Sequence, residues 1–523
     1  MENSYTKRNQ EWYPQKRLKE YGSCIKKEEG YMTLLACLLF LVVSGLLMVC
    51  LDGSMVFQAK ARCSMAQTGL TEHLMANYDV PLAKRYQLYF LDPRMNRELL
   101  EEKSEKYYEE LFLGSSGVGF VPSPIWRIKT DYIEAVPFGT MQEKEFQFFI
   151  AQIEDCMKYD LTKDLALKAL GQAVQETDKQ SAMMEETVKN LDEYKPVTNG
   201  SPDSDDNTLT PSEVAEGEHA ASEVRENNPL QKLRSILEYG VLGIVADESR
   251  LSERKITSSL LPFKNQKENK IALSMDLIKN LDNISDLMKD QGLDDLGDNL
   301  TSQGAMNLYI QKYFNYYKRN KPIENTKLLY EIEYILGGHY SDKENLEYVV
   351  NRLVLLRFAL NGAYVFRNEE LRTQALSMAA VLTGITGTPE FLEAVRYIIL
   401  AAVNLIESVQ DVEALLDGEK VPLLKTTADW KTTINGTAGS NSHFNREGLD
   451  YQEYTLLLLT LHTDVESKCF RMQNLMQLNI QQEEPEFQIK ECRAGLEIKT
   501  GVKVKPMFYL KESLLENEQK TSY

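Results

Sequence analysis

The sequence predicts a helix-dominated α+β protein hung from a single N-terminal transmembrane helix that continues into the ectodomain, with a helical head and small antiparallel strand groups. Tyr31 to Leu51 run for twenty-one residues without a charged side chain, about 31 Å at the helical rise of about 1.5 Å per residue and close to the hydrocarbon thickness of a bilayer. Beyond that run, apolar residues recur mostly at helical spacing. Alternation of period two appears only in short stretches, near 125–136 and 487–510, and marks half-buried strands.

The flanks of the apolar run set its orientation. Lys16, Arg17, Lys19, Lys26 and Lys27 precede it, and only Lys60 and Arg62 follow at comparable distance. The positive-inside rule then leaves residues 1–30 in the cytoplasm and sends 52–523 outside the cell. A cleavable signal has an apolar core of about 7–15 residues, shorter than this one, so the segment reads as a retained anchor in contact with membrane lipid. Tyr397–Ile406 is a second apolar stretch, but Arg396 and Glu407 bracket it. It is too short to span and reads as a core helix.

Past the membrane the helix is expected to continue as a rod. Gly45, Val49, Asp52, Val56, Ala59, Cys63, Ala66 and Leu70 lie in alternating steps of four and three, a stripe apolar here apart from Asp52, whose small outer members let a helix or sheet approach closely. The rod should end near Tyr78-Asp79-Val80-Pro81, because proline disfavours helix in the residue before it. A helix is expected over Asn96–Leu113 and a strand between Ile125 and Val136, with Trp126, Ile128, Tyr132 and Val136 on one face. Helical sequence returns over Gln142–Tyr194.

Residues 195–228 are rich in Pro, Ser, Asn and acidic side chains, too polar to offset their ordering entropy, and read as a disordered acidic linker. They separate a region of 52–194 from a helix-rich region of 229–523. In the latter, Val241–Ala246 reads as a strand. Ser341-Asp342-Lys343-Glu344 opens a helix with an apolar face of Leu346, Val349, Val350, Leu353, Leu356 and Leu360. Thr388-Pro389 opens another, which should stop at Gly418. A helix is expected over Tyr451–Gln477. Two or three closing strands should turn at Gly495 and Gly501.

Composition is that of a globular protein, with 43% apolar and 26% charged residues and a net charge of −19. Residues 1–30 are net basic, so the acidity belongs to the head and argues against nucleic acid or anionic lipid as its partner. The external cysteines Cys63, Cys156, Cys469 and Cys492 form two disulfides or stay free.

The sequence offers no catalytic, cofactor or metal motif. The closest two of the five histidines, His443 and His462, stand nineteen residues apart, far from zinc-hydrolase spacing. Gly114–Gly119 lacks the Gly-Lys-Ser/Thr of a phosphate loop. Ser252 and Lys255 have S-x-x-K spacing without its companion motifs and read as a polar loop. Asp290–Asp298 lacks the alternation of a calcium loop.

Several stretches carry a resemblance: ANYDVPLAKRYQLYFLD (Ala76–Asp92), NNPLQKLRSILEYGVLGIV (Asn227–Val245), YEIEYILGGHYSDKENLEYVVNRLVLLR (Tyr330–Arg357), VPLLKTTADWKTT (Val421–Thr433) and GLDYQEYTLLLL (Gly448–Leu459). Together they resemble an uncharacterised membrane-anchored family of Gram-positive bacteria, a domain of unknown function whose genes accompany those of the Tad pilus system. The N-terminus also resembles TadE- and TadG-type pseudopilins, in which a peptidase cuts after a glycine ahead of the apolar helix. That likeness implies processing between Gly30 and Tyr31. The fifth position after the cut is Leu35, where pseudopilins keep an assembly glutamate. Asp52-Gly53-Ser54-Met55-Val56 lacks the last serine of the D-x-S-x-S adhesion motif. The resemblance implies a non-enzymatic, membrane-anchored component of a Tad-like pilus or surface assembly, with other pilus-assembly or pseudopilin proteins as partners. An extracellular binding or sensing module is the alternative, and a surface enzyme the more distant one.

Overall fold

The computed structural model describes residues 18–113, 128–158, 229–230, 236, 240–247, 249, 251–264, 296–383, 389–434 and 448–523. The acidic linker at 195–228, the glycine-rich 114–119, Trp126, most of 290–298 and residues 159–194 of the 142–194 helical stretch lie outside the described residues. Contacts divide the chain into two compact units, each discontinuous in sequence.

The first unit gathers Met1–Asn77, Arg94–Phe138 and Gly495–Tyr523. Its spine is α1 (Leu18–Met75), a helix of 58 residues. From Tyr31 to Leu51 its apolar side chains stand largely bare, and none of its most apolar 18-residue stretch, of mean hydropathy 3.0, is buried. It is long and apolar enough to cross a membrane. From residue 59 outward Ala59, Cys63, Ala66, Leu70 and Leu74 are buried, the small ones allowing close approach of neighbouring backbone. Polar side chains then fix the register. Gln67 donates from Nε2 to the Ile498 carbonyl (2.9 Å), and its Oε1 accepts from Thr500 Oγ1 (2.8 Å) and Tyr108 OH (3.0 Å). Tyr108 belongs to α3 (Arg97–Leu113), whose Asn96 caps it through Leu99 N–H.

The sheet that α1 packs on is antiparallel, in the order β1 (Ile128–Thr140), β2 (Arg493–Val504), β3 (Ser513–Ser522). β2 and β3 pair from Gly495↔Ser522 to Val504↔Ser513. Neither expected turn glycine turns the chain; both lie inside β2. A Cβ at Gly501 would run into the Tyr132 ring, and one at Gly495 into the Phe138 ring and the Thr521 carbonyl. They are glycines because β1 and β3 lay side chains and backbone against them. The burial pattern of β1 changes phase after Tyr132. Ile133 and Ala135 are therefore buried, and Val136, expected on the buried face, is exposed. With a period of two, one step of phase reverses every later side chain.

The second unit, Tyr78–Pro93 and Gly139–Ala494, is built mainly of helices joined by loops among its described residues. Its elements are α2 (Val80–Tyr86), α4 (Glu143–Met157), α5 (Leu242–Val245), α6 (Leu296–Tyr313), α7 (Glu331–Gly337), α8 (Asp342–Arg367), α9 (Glu369–Thr383), α10 (Pro389–Asp417), α11 (Tyr451–Leu461) and α12 (Val465–Ile480). Helix starts follow local capping chemistry. Asp79 accepts from Leu82 N–H at 2.8 Å, Ser341 from Glu344 N–H at 3.3 Å, and Asp450 and Glu453 form a reciprocal capping box. α10 stops where expected, at Gly418 with φ +91, a conformation glycine adopts without strain. The expected apolar face of α8 is buried in full.

Two expectations fail here. Val241–Ala246 is not a strand but one helical turn, burying Val241, Leu242 and Val245; a six-residue apolar run does not distinguish the two by pattern. The helix expected over Tyr451–Gln477 is two helices. His462 takes an extended conformation, and Asp464 restarts the chain by accepting from Ser467 N–H at 3.0 Å.

Candidate functional site

The densest chemistry among the described residues lies where α8, α10 and α11 meet the 421–432 loop. Arg357 and Asn361 are one turn apart on α8, as Glu407 and Asp411 are on α10, so each pair shares a face. The Arg357 side chain is fully buried and meets five acceptors: Asp411 Oδ2 (3.0 Å from Nε), the carbonyls of Pro422 (3.0 Å) and Leu423 (2.8 Å), Tyr454 OH (2.9 Å) and Asn361 Oδ1 (2.7 Å). Lys425 bridges Glu407 and Asp411, at 2.5 Å to the latter. Glu407 also accepts from the backbone N–H of Lys431 (3.1 Å) and Thr432 (2.8 Å). Burial pushes the Asp411 carboxyl up, but Arg357 and Lys425 beside it outweigh burial and hold it below the usual carboxylate range. Burial likewise opposes the Arg357 charge, and Tyr454 and Asp411 more than offset it.

Two cations and two carboxylates cancel, and their hydrogen-bonding capacity is spent on one another and on loop carbonyls and amides. The arrangement fastens the 421–432 loop to two helices. A half-open cavity of about 270 Å³ adjoins it, lined by Leu360, Tyr364 and Arg367 of α8, by Asn368 just past its end, and by Leu424 and Lys425. Tyr364 stacks on Trp430 at 4.8 Å.

A second buried polar group lies along α12. Lys468 donates to Leu459 O (2.7 Å), Gln303 Oε1 (2.7 Å) and Asn307 Oδ1 (3.2 Å). Burial without a carboxylate in that set draws its pKa down to about 7. Arg471 donates to the Ile335 and Leu336 carbonyls at 2.7 and 2.8 Å, where a cation satisfies the C-terminus of α7. Its guanidinium fills the space over Gly338, whose Cβ would lie 2.6 Å from Nη2.

The sequence reading missed both groups. The signal was present: polar residues at Arg357, Asn361, Glu407 and Asp411 continue faces that are otherwise apolar. Ser252 and Lys255 form no pair, since Ser252 donates to Asp342 at 2.6 Å and Lys255 is exposed. Cys63, Cys156, Cys469 and Cys492 are free. The described residues contain no group of three or more His, Cys, Asp or Glu placed to hold a metal.

Of the residues singled out in the sequence, Gly30 and Tyr31 lie within α1, with the Tyr31 side chain exposed. Ala59, Cys63, Ala66 and Leu70 come together under the sheet, Val56 is half-buried, and Gly45 and Val49 lie on the uncovered part of the helix. Asp52, rejected as part of an adhesion motif, has its carboxylate occupied by four backbone N–H groups of residues 507–510.

A family model described as a family of unknown function (DUF5702) matches residues 219–504, more than half of the chain and all of the ion network. Neither the comparison with curated proteins nor that with solved structures returns a match.

Proposed function

The chain belongs to the DUF5702 family of unknown function, and we propose that it is a non-enzymatic, membrane-anchored component of a Tad-like pilus or surface assembly, with its head outside the cell. The observation that carries this reading is α1. One continuous helix is bare and apolar over Tyr31–Leu51, then packs small residues against an antiparallel sheet. An apolar helix left bare in water costs about 25 cal/mol per Å² of uncovered surface, so it needs lipid or partner helices. Ala59, Cys63, Ala66 and Leu70 are already covered by the chain's own unit, which leaves Gly45 and Val49 as the contact for a second helix.

A photo-crosslinker at Val49 in living cells should capture another membrane helix, from a pseudopilin or from the assembly machinery. Recovery of an unassociated monomer alone would remove the assembly reading. Recovery of the chain from cytosol, or protection of a tag at Tyr523 from protease added to whole cells, would remove the anchored, outward-facing one. The mature N-terminal residue tests processing: Tyr31 signifies pseudopilin-like cleavage after Gly30, and Met1 or its successor a plain anchor.

The cavity beside Lys425 favours a second reading, an extracellular binding module. A small ligand that raises the melting temperature of the wild-type chain, but not of one carrying Tyr364→Ala, would support it.

A further inference from the structure

The loop joining β2 to β3 reads Lys505-Pro506-Met507-Phe508-Tyr509-Leu510-Lys511-Glu512. Its four central residues are apolar or aromatic, consecutive and exposed, with Tyr509 at 65% and Met507 at 56%. Exposed hydrophobics scattered singly need no explanation, but a contiguous patch does. This one is not loose. The backbone N–H groups of Met507, Phe508, Tyr509 and Leu510 converge on the Asp52 carboxylate at 3.0, 3.0, 2.6 and 3.0 Å. Four successive amides turned inward to one anion leave the four side chains turned outward.

Asp52 is the residue after Leu51, where the uncharged run ends. A carboxylate drawn into the hydrocarbon layer is costly unless it is paired, and this one, at the end of the apolar run, is saturated by the loop. The consequence is geometric: a patch that lies 455 residues away in sequence is clamped at the level where α1 leaves the apolar layer. Aromatic side chains are enriched at that depth, where a ring with a polar edge faces both acyl chain and headgroup, and lysines flanking such a patch reach up to the phosphates. Lys505 and Lys511 hold those flanking positions, next to Glu512.

We propose that Met507–Leu510 is a membrane foot: a hairpin loop, pinned by Asp52, that inserts into the headgroup–acyl border of the leaflet α1 emerges from and fixes the first unit against the lipid surface. The occupant is lipid, because the patch is continuous with the apolar helix and held at its end. This inference rests on the reading of α1 as a membrane anchor, and its test separates the two.

The full chain carrying Tyr509→Trp is reconstituted in phosphatidylcholine vesicles whose acyl chains are brominated close to the headgroup, with a Leu41→Trp chain in parallel and the wild-type emission subtracted. The foot predicts blue-shifted emission and bromine quenching at position 509, and quenching by deeper bromines at position 41. Quenching at 41 with unquenched, solvent-like emission at 509 overturns the foot and leaves the anchor standing. Blue-shifted but unquenched emission at 509 overturns it in favour of a protein surface. Absence of quenching at both positions overturns the foot together with the anchor. Adding Asp52→Ala to the Tyr509→Trp chain should shift position 509 toward solvent emission while position 41 stays quenched.

Discussion

Asp411 shows how little freedom a buried charge has in this protein. Its oxygens serve Arg357, Lys425 and Asn361 at once, and removing it would leave two cations inside the second unit with less than their compensating charge. Asp411→Ala is expected to cost about 3–5 kcal/mol, read as a lower urea midpoint for unfolding of the full chain in detergent. Gly338 is constrained from two sides. It combines φ +78 with a guanidinium pressed onto the place of a Cβ, so Gly338→Ala should destabilise by about 1–3 kcal/mol, and Arg471→Met should relieve part of that loss in the double variant. Asp52 acts by orienting backbone. Asp52→Ala should speed hydrogen exchange at the amides of 507–510 selectively, and unchanged exchange there would contradict the clamp. None of these three roles is legible locally, because each depends on a partner that sequence distance hides.

Elements were legible to the extent that their ends are chemical. Ser341 and Gly418 mark helix boundaries through bonds within one turn of chain, and α8 begins and α10 ends where those residues stand; Asp79 caps α2 in the same way, although the sequence there signalled only the end of α1. The 451–480 stretch was misread for the same reason turned around. Helix-compatible sequence flanks the break on both sides, His462-Thr463-Asp464 holds neither Gly nor Pro, and the Asp464 cap reveals the new start. β2 was misread because glycine signals a turn by default, whereas here it clears room for Tyr132 and Phe138. The cysteines show element packing directly. Burial pushes the Cys63 and Cys469 thiols up to about 11 and 12, and Cys492 well above the ordinary range, so all three remain in the unreactive thiol form. Iodoacetamide on the native chain should label half-buried Cys156 ahead of these three, with the order read by mass spectrometry and lost on denaturation.

At the scale of the whole molecule, the chain passes between its two units after Asn77, Pro93, Phe138 and Ala494. The pH response belongs to this scale. Burial raises Glu331 and Glu333 of α7 from 4.5 to about 7, although the backbone N–H groups of Asn315 and Tyr317 and the side chains of Asn479 and Tyr451 partly oppose it. The folded chain therefore holds two protons that the unfolded chain has released over that window. Their contribution stabilises the fold below pH 4.5, declines as pH rises, and is gone above about 7. Urea midpoints of the wild-type chain between pH 5 and 7.5 should fall more steeply with pH than those of a Glu331→Gln/Glu333→Gln chain, and parallel profiles would contradict the assignment. His462, drawn down to about 3 chiefly by burial, works in the opposite sense over 6.5 to 3. Because it is present in both chains, it cancels in the comparison.

The sequence by itself determined the bare apolar helix, the helix-rich class and most capped helix ends, since these follow from side-chain hydrophobicity and from bonds closed within a few residues. Tertiary structure alone decided that Gly495–Tyr523 joins the N-terminal helix, that four charges from α8, α10 and the 421–432 loop neutralise one another, and that Asp52 meets a loop near the opposite end of the chain. Those outcomes rest on charges and backbone amides that lie far apart in sequence and acquire their energy only once folding brings them within hydrogen-bonding distance.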